Sequence, residues 1–223
     1  MFENLWVEKY RPSTLDEVVL SDHNRSIFKQ FSDNKEIPNL LFVGNAGIGK
    51  TSLAKVICKS MLNAQYLYIN ASDENGIDTI RTKVTGFAQT KSFDGTIKCI
   101  ILDEVDGLTL DAQRALRNTM EEYAQLTRFI LTANYKHRVI PALQSRCQSF
   151  DLTPPLEMCV DRINSILKTE GIEVADEYHE RLKMFVKGTF PDLRKCINEI
   201  QKSIIGGKIS FDSLIKVKDT FVE

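Results

Sequence analysis

Gly44-Asn45-Ala46-Gly47-Ile48-Gly49-Lys50-Thr51 is the stretch that decides how the rest of the chain reads. It has the form G-x-x-x-x-G-K-T and follows the apolar run Asn39–Val43. It also opens a segment, Ser52–Leu62, in which Leu53, Val56, Ile57 and Met61 recur at helical spacing. Strand, glycine-rich turn and helix are the context that this pattern needs. The glycines let the backbone curl so that successive N–H groups point at phosphate oxygens, and the helix N-terminus adds a favourable dipole. Lys50 can then reach the β- and γ-phosphates of a nucleotide, and the Thr51 hydroxyl can ligate Mg²⁺. The alternative, a glycine-rich turn with no ligand, leaves the flanking strand and helix unexplained.

Four further short apolar runs follow: Gln65–Asn70, Ile97–Leu102, Thr127–Thr132 and Ser149–Leu152. Several are apolar on consecutive positions, as strands buried on both faces are. Between two of them, Ala112, Ala115, Leu116, Met120 and Tyr123 give Asp111–Tyr123 a helical period. Strands alternating with helices predict an α/β domain on a five-stranded parallel sheet, spanning 1–152. The run Cys99-Ile100-Ile101-Leu102 ends in Asp103-Glu104, which puts two carboxylates at the carboxyl edge of the sheet, where ligands of open α/β folds bind. Asp103 suits Mg²⁺, and Glu104 suits the orientation or deprotonation of an attacking water. Taken alone, the pair could equally cap a turn before Gly107; its distance from the glycine-rich loop favours hydrolytic chemistry.

Thr153-Pro154-Pro155 then breaks the pattern, because consecutive prolines cannot continue a strand ladder. Beyond it the periodicity is helical, over about 156–169, 175–187, 191–204 and 210–221, punctuated by Gly171, Gly188 and Gly206-Gly207. This predicts a small helical domain over 153–223. The 29 Lys and Arg nearly balance the 30 Asp and Glu, so the strong basic excess of a protein that grips nucleic acid alone is missing. The five cysteines (58, 99, 147, 159, 196) form no CxxC pair, and His23, His137 and His179 are far apart, which argues against a Cys/His metal site and for reduced thiols. With neither an apolar run of membrane-spanning length nor a signal-peptide pattern at the start, a cytoplasmic location is expected.

The motifs together resemble those of AAA+ ATPases, and specifically of sliding-clamp loader subunits. Trp6-Val7-Glu8-Lys9-Tyr10-Arg11-Pro12, with Thr14–Val19, resembles the N-terminal box of replication factor C subunits. The resemblance implies that Val7, Glu8, Lys9, Tyr10 and Val19 wrap the adenine, largely through backbone contacts; the residues alone suggest hydrophobic docking. Gly47, Ile48, Gly49, Lys50, Thr51 and Ser52 would hold the phosphates of ATP, with Thr51 and Asp103 on Mg²⁺. Asn70-Ala71-Ser72-Asp73 is similar to a segment in which the asparagine, here Asn70, holds the catalytic glutamate in check, while local capping of the next helix explains it as well. Leu131-Thr132-Ala133-Asn134 resembles sensor 1, which would give Asn134 a water- and phosphate-positioning role. Ser145-Arg146-Cys147 matches the SRC motif and implies that Arg146 acts in trans, as an arginine finger on a neighbouring subunit's nucleotide. Phe190–Lys195 is similar to sensor 2, with Arg194 as the lid arginine and Pro191 in place of the family's small residue, suited to a first helical turn. The wording of 92–95 and 190–195 looks most like the large subunit of T-even-type phage clamp loaders, with replication factor C small subunits next.

The resemblance further implies partners: other subunits in a ring, pentameric in the full assembly, a sliding clamp and primer-template DNA. For DNA contact or coupling the candidates are Gln113 with Arg117, then Arg81 and Lys83; solvated surface explains each of these as well. The implied location is host cytoplasm for a phage protein and nucleus for a eukaryotic one. Two rivals remain, an AAA+ helicase or initiator and a non-hydrolysing scaffold subunit. The family's third, collar domain has no expected counterpart before Glu223.

Overall fold

The computed structural model describes residues 5–92, 97–172, 174, 178–206 and 208–210. Strands β1 (Leu40–Val43), β2 (Tyr66–Asn70), β3 (Lys98–Asp103), β4 (Thr127–Ala133) and β5 (Gln148–Asp151) pair in parallel in the order β2-β3-β4-β1-β5. Each starts and stops within one residue of an apolar run in the sequence. Successive strand side chains point to opposite faces. Leu41 and Val43, Ile100 and Leu102, and Phe129 and Leu131 therefore pack on one side with Ile80, Val84, Leu116 and Met120. Leu40, Phe42, Cys99, Ile101 and Ile130 pack on the other with Phe28, Leu53, Val56 and Ile57.

The helices that supply those partners are α1 (Trp6–Lys9), α2 (Asp22–Asn34), α3 (Lys50–Val56, continued with π geometry through Ile57–Met61), α4 (77–88, with a π-helical turn at Ile80–Val84) and α5 (Leu110–Glu122). A short α6 (Pro141–Gln144) precedes β5. Helix α2 has little period to betray it, since only Ile27, Phe28 and Phe31 of its 13 residues are apolar. Its start is set instead by Ser21, whose side chain accepts from the Asn24 N–H at 3.3 Å. Thr109 does the same for α5, accepting from the Ala112 N–H at 3.2 Å.

After Pro155 come α7 (Leu156–Thr169), α8 (His179–Thr189) and α9 (Leu193–Lys202), then the two-stranded hairpin β6 (Ile204–Ile205) and β7 (Lys208–Ile209). Two readings of the sequence are corrected here. Pro191 is not in the first turn of α9: Asp192 is the cap, its carboxylate accepting from the Lys195 N–H at 2.8 Å, and Pro191 lies just outside. The helix expected over 191–204 also ends earlier, because 204–209 turns back as the hairpin around Gly206, at φ +58°. The helix expected over 210–221 lies outside the described residues. Helices α7–α9 enclose a core of Cys159, Ile163, Ile166, Leu182, Val186, Cys196 and Ile200, and Trp6 of α1 is buried in it. The N-terminal segment thus packs with the helical layer, although it precedes the sheet in sequence.

Candidate active site

The carboxyl ends of β1, β3 and β4 and the N-terminus of α3 converge on Lys50. Its ammonium donates to the carbonyls of Gly44 (2.7 Å) and Asn45 (2.8 Å) and to Asn134 Oδ1 (2.8 Å). Two residues 84 apart in sequence, singled out separately as phosphate and sensor residues, are thereby in contact. Burial pushes the Lys50 ammonium below the ordinary lysine range, and the charges of Asp103, Asp106 and Glu104 oppose that shift. Gly47 and Gly49 have φ of +77° and +98°, which only glycine adopts freely. At Gly47 space is a second constraint, since an added Cβ would lie 1.8 Å from Asp192 Oδ1. The Arg194 N–H donates to the Gly47 carbonyl at 3.3 Å, so the start of α9 rests on the phosphate loop and carries Arg194 to the mouth of the cleft.

Asp103 is the most heavily coordinated acid of the site. Thr51 donates to both of its carboxylate oxygens (2.9 and 2.8 Å), Thr132 to Oδ1 (2.6 Å) and Tyr68 to Oδ2 (3.0 Å). Burial, then the charge of Asp103, pushes the Tyr68 phenol up to about 12. A hydroxyl and a carboxylate facing each other beside Lys50 are hard oxygen donors, and Mg²⁺ accepts such a pair when water and phosphate oxygens complete its shell. Among the described residues no cluster of three His, Cys, Asp or Glu could hold a metal by protein ligands alone.

Glu104 is left-handed at φ 58°, ψ 47°, an uncommon conformation for a residue with a side chain, found where a site over-determines the backbone. Its N–H donates to Thr132 Oγ1 at 2.9 Å, and its carboxylate accepts from Ser72 Oγ at 2.6 Å. The partner of Glu104 in this structure is therefore Ser72. Asn70, for which the resemblance implies that role and local capping was the equal alternative, here donates to Asp73 Oδ2 (2.8 Å) and accepts from the Ser72 N–H (3.2 Å), as a local cap does. Sequence reading also missed Asp106, whose carboxylate accepts from the N–H groups of Asn134 (3.2 Å) and Tyr135 (3.0 Å) and so fixes the turn that aims Asn134. A third acid just after the Asp-Glu pair was the available signal.

Beside the phosphate loop lies a cleft open to solvent. Val7, Tyr10, Val19, Gly47, Ile48, Gly49 and Ser52 line it, joined by Val18, Arg162, Leu193 and Ile197. Glu8 and Lys9 do not line it. Glu8 pairs with Arg11 at 2.6 Å, and Lys9 with Glu170 at 2.7 Å.

Arg146 follows α6, donates to the Ala142 carbonyl at 2.9 Å and pairs with Glu121 of α5. The nucleic-acid candidates separate. Gln113 is buried, its Nε2 donating to the carbonyls of Leu108 (3.3 Å) and Arg138 (3.0 Å) and its Oε1 accepting from the Ile140 N–H (2.9 Å). It ties α5 to the segment before α6 and is not a surface contact. Arg117 is half-exposed and donates to Asn118, and Lys83 pairs with Glu74 at 2.6 Å.

The profile of the family described as "ATPase family associated with various cellular activities (AAA)" matches residues 40–154, from β1 to just past β5. The chain belongs to the AAA ATPase family. Within the family it is similar to proteins named replication factor C small subunit. It is 42% identical to the one from Staphylothermus marinus over 96% of this chain and 66% of that protein. To that from Archaeoglobus fulgidus it is 41% identical, over 97% of this chain and 69% of the relative. The chain thus spans about two thirds of the length of these relatives. Among solved structures it is similar in fold to Thermotoga maritima RuvB, titled a Holliday junction branch migration motor, with a TM-score of 0.72, 17% identity, and coverage of 95% of this chain and 72% of that one. Among the described residues no helix is long and apolar enough to cross a membrane.

Proposed function

We propose that this chain is the ATP-binding and hydrolysing part of a DNA polymerase sliding-clamp loader subunit, which with other subunits opens the clamp and loads it onto primer-template DNA. The observation that carries the reading is sequence identity of about 40% to replication factor C small subunits over nearly the whole chain. The meeting of Lys50, Asn134, Thr51, Asp103 and Glu104 at one sheet edge supports it. The RuvB likeness, at 17% identity, speaks for the fold alone. A scaffold-only subunit would have lost Lys50 or Glu104, and both are present.

In this reading Lys50 and the loop N–H groups of Gly47, Ile48 and Gly49 hold the phosphates. Val7, Tyr10 and Val19 enclose the base, and Thr51 and Asp103 would hold Mg²⁺, which when bound would supply neutralisation of charge on the phosphates. Glu104 takes the proton of the attacking water and Asn134 orients that water. Arg194 senses the terminal phosphate from the start of α9, and Arg146 reaches the nucleotide of a neighbouring subunit. The ring is pentameric, and the finer kinship is with T-even-type phage loaders, supported by 190–195; most of 92–95 lies outside the described residues.

The test is ATPase turnover of the full-length protein with its partner subunits, with and without primer-template DNA and a sliding clamp. DNA and clamp should stimulate turnover, and Glu104→Gln should bind ATP yet hydrolyse it about 100-fold more slowly or less, the scale of a lost general base. Turnover indifferent to DNA and clamp but accompanied by strand movement favours the motor reading. Equal hydrolysis by wild type and Glu104→Gln removes Glu104 from its role.

A further inference from the structure

Arg146 is the candidate for action outside its own chain, and its surroundings are specific. Its Nη1 donates to the Ala142 carbonyl at 2.9 Å, which is local and tethers only one branch of the guanidinium. The other branch, Nη2, meets the carboxylate of Glu121, in the last turn of α5 and 25 residues away in sequence. The two side chains remain 31% and 50% exposed. An ion pair that wet contributes little to folding stability. Its effect is geometric. A guanidinium has five donors in a fixed fork, and holding one N–H of each branch fixes the plane of the group while the remaining donors face outward. Without Glu121 the long side chain keeps a single tether and spreads over many rotamers.

We propose that Glu121 is a positioning residue for Arg146, aiming the guanidinium at a phosphate presented by a neighbouring copy or subunit. This rests on the reading of Arg146 as acting in trans. Glu121 lies in the last turn of α5, at the end of that helix opposite the acidic turn Val105–Gly107. Its contribution belongs to the transition state of the adjacent site, where misplacing a charged group costs rate more than binding. It therefore appears in kcat, with KM little changed.

The experiment compares wild type, Glu121→Ala, Glu121→Gln, Arg146→Ala and the double variant Glu121→Ala/Arg146→Ala, each as full-length protein in the assembled complex with DNA and clamp. Binding of a fluorescent ATP analogue to each isolated subunit reports whether it is folded. The expected result is a fall in kcat of about 3- to 10-fold for Glu121→Ala, with KM within twofold and partial recovery in Glu121→Gln, which keeps the acceptor. The double variant should match Arg146→Ala. Unchanged or faster turnover in Glu121→Ala overturns the proposal, faster turnover meaning that Glu121 restrains the arginine. A further loss in the double variant also overturns it, by showing an effect independent of Arg146. If Arg146→Ala itself turns over like wild type, the failure is that of the trans reading.

Discussion

At the scale of single residues, the state of Glu104 is the point most open to experiment. A carboxylate that accepts a 2.6 Å hydrogen bond from Ser72 is held by that hydroxyl and is less available to a water proton. Ser72→Ala should raise ATP turnover in the absence of DNA several-fold, whereas Asn70→Ala, which removes only a local cap, should leave it within about twofold of wild type. Steady-state phosphate release by the two variants separates these outcomes, and the reverse order would return the restraint to Asn70. The same residues show what could be read in advance. Lys50 and Thr51 are adjacent within one motif, so their shared task is visible in the string of letters. Tyr68, Ser72, Thr132 and Asp106 reach the site from different strand ends, and only the strand order brings them together. Gln113 hides for another reason: its amide is fully satisfied by backbone groups, so it is as deeply buried as a leucine, and residue type alone points outward.

Among the elements, α1 behaves in a way its length does not suggest. It has four residues, too few to persist in isolation, yet it is fixed at both ends. The Trp6 N–H donates to Gln201 of α9 at 3.0 Å, its ring meets that of Tyr10 edge-on at 6.1 Å, and Lys9 and Tyr10 share the Glu170 carboxylate. Arg162 of α7 donates to the Tyr10 carbonyl at 3.0 Å. Trp6→Ala should destabilise the chain by about 3–5 kcal/mol, as a buried tryptophan replaced by alanine does. Urea unfolding checks this, and a loss below about 1 kcal/mol would mean that the indole is not part of a packed core. Segment 5–10 was legible as something that docks, from its aromatic and β-branched residues. Its partner was not, because the contacting helices lie more than 150 residues further on.

For the whole molecule, charge sets the expectation. Lys and Arg number 29 against 30 Asp and Glu, which leaves a net charge of −1 and little long-range attraction for phosphate backbones. One copy in isolation should bind primer-template DNA no more tightly than about 10 µM near physiological salt, the non-specific regime. Fluorescence anisotropy tests this, and saturable submicromolar binding by a single copy would put the DNA grip within one chain. If binding is weak, affinity has to come from several copies placing their few cationic groups along one duplex. The parallel sheet and its helices were readable from the alternation of apolar runs, whereas the hairpin at 204–209 was not. Two-residue strands carry no periodicity, and only Gly206-Gly207 marked the turn.

The burial of Trp6 among α7–α9 has a practical consequence for anyone dividing this protein. A cut that keeps the helices from Leu156 onward but discards segment 5–10 would open a hole among α7–α9, take the Trp6 N–H away from Gln201 and remove the Lys9 and Tyr10 donors of Glu170. A cut that keeps the sheet alone would leave an indole exposed at its leading end. The two sides of the cleft beside the glycine-rich loop, one from the beginning of the chain and one from its last third, are inherited together or not at all.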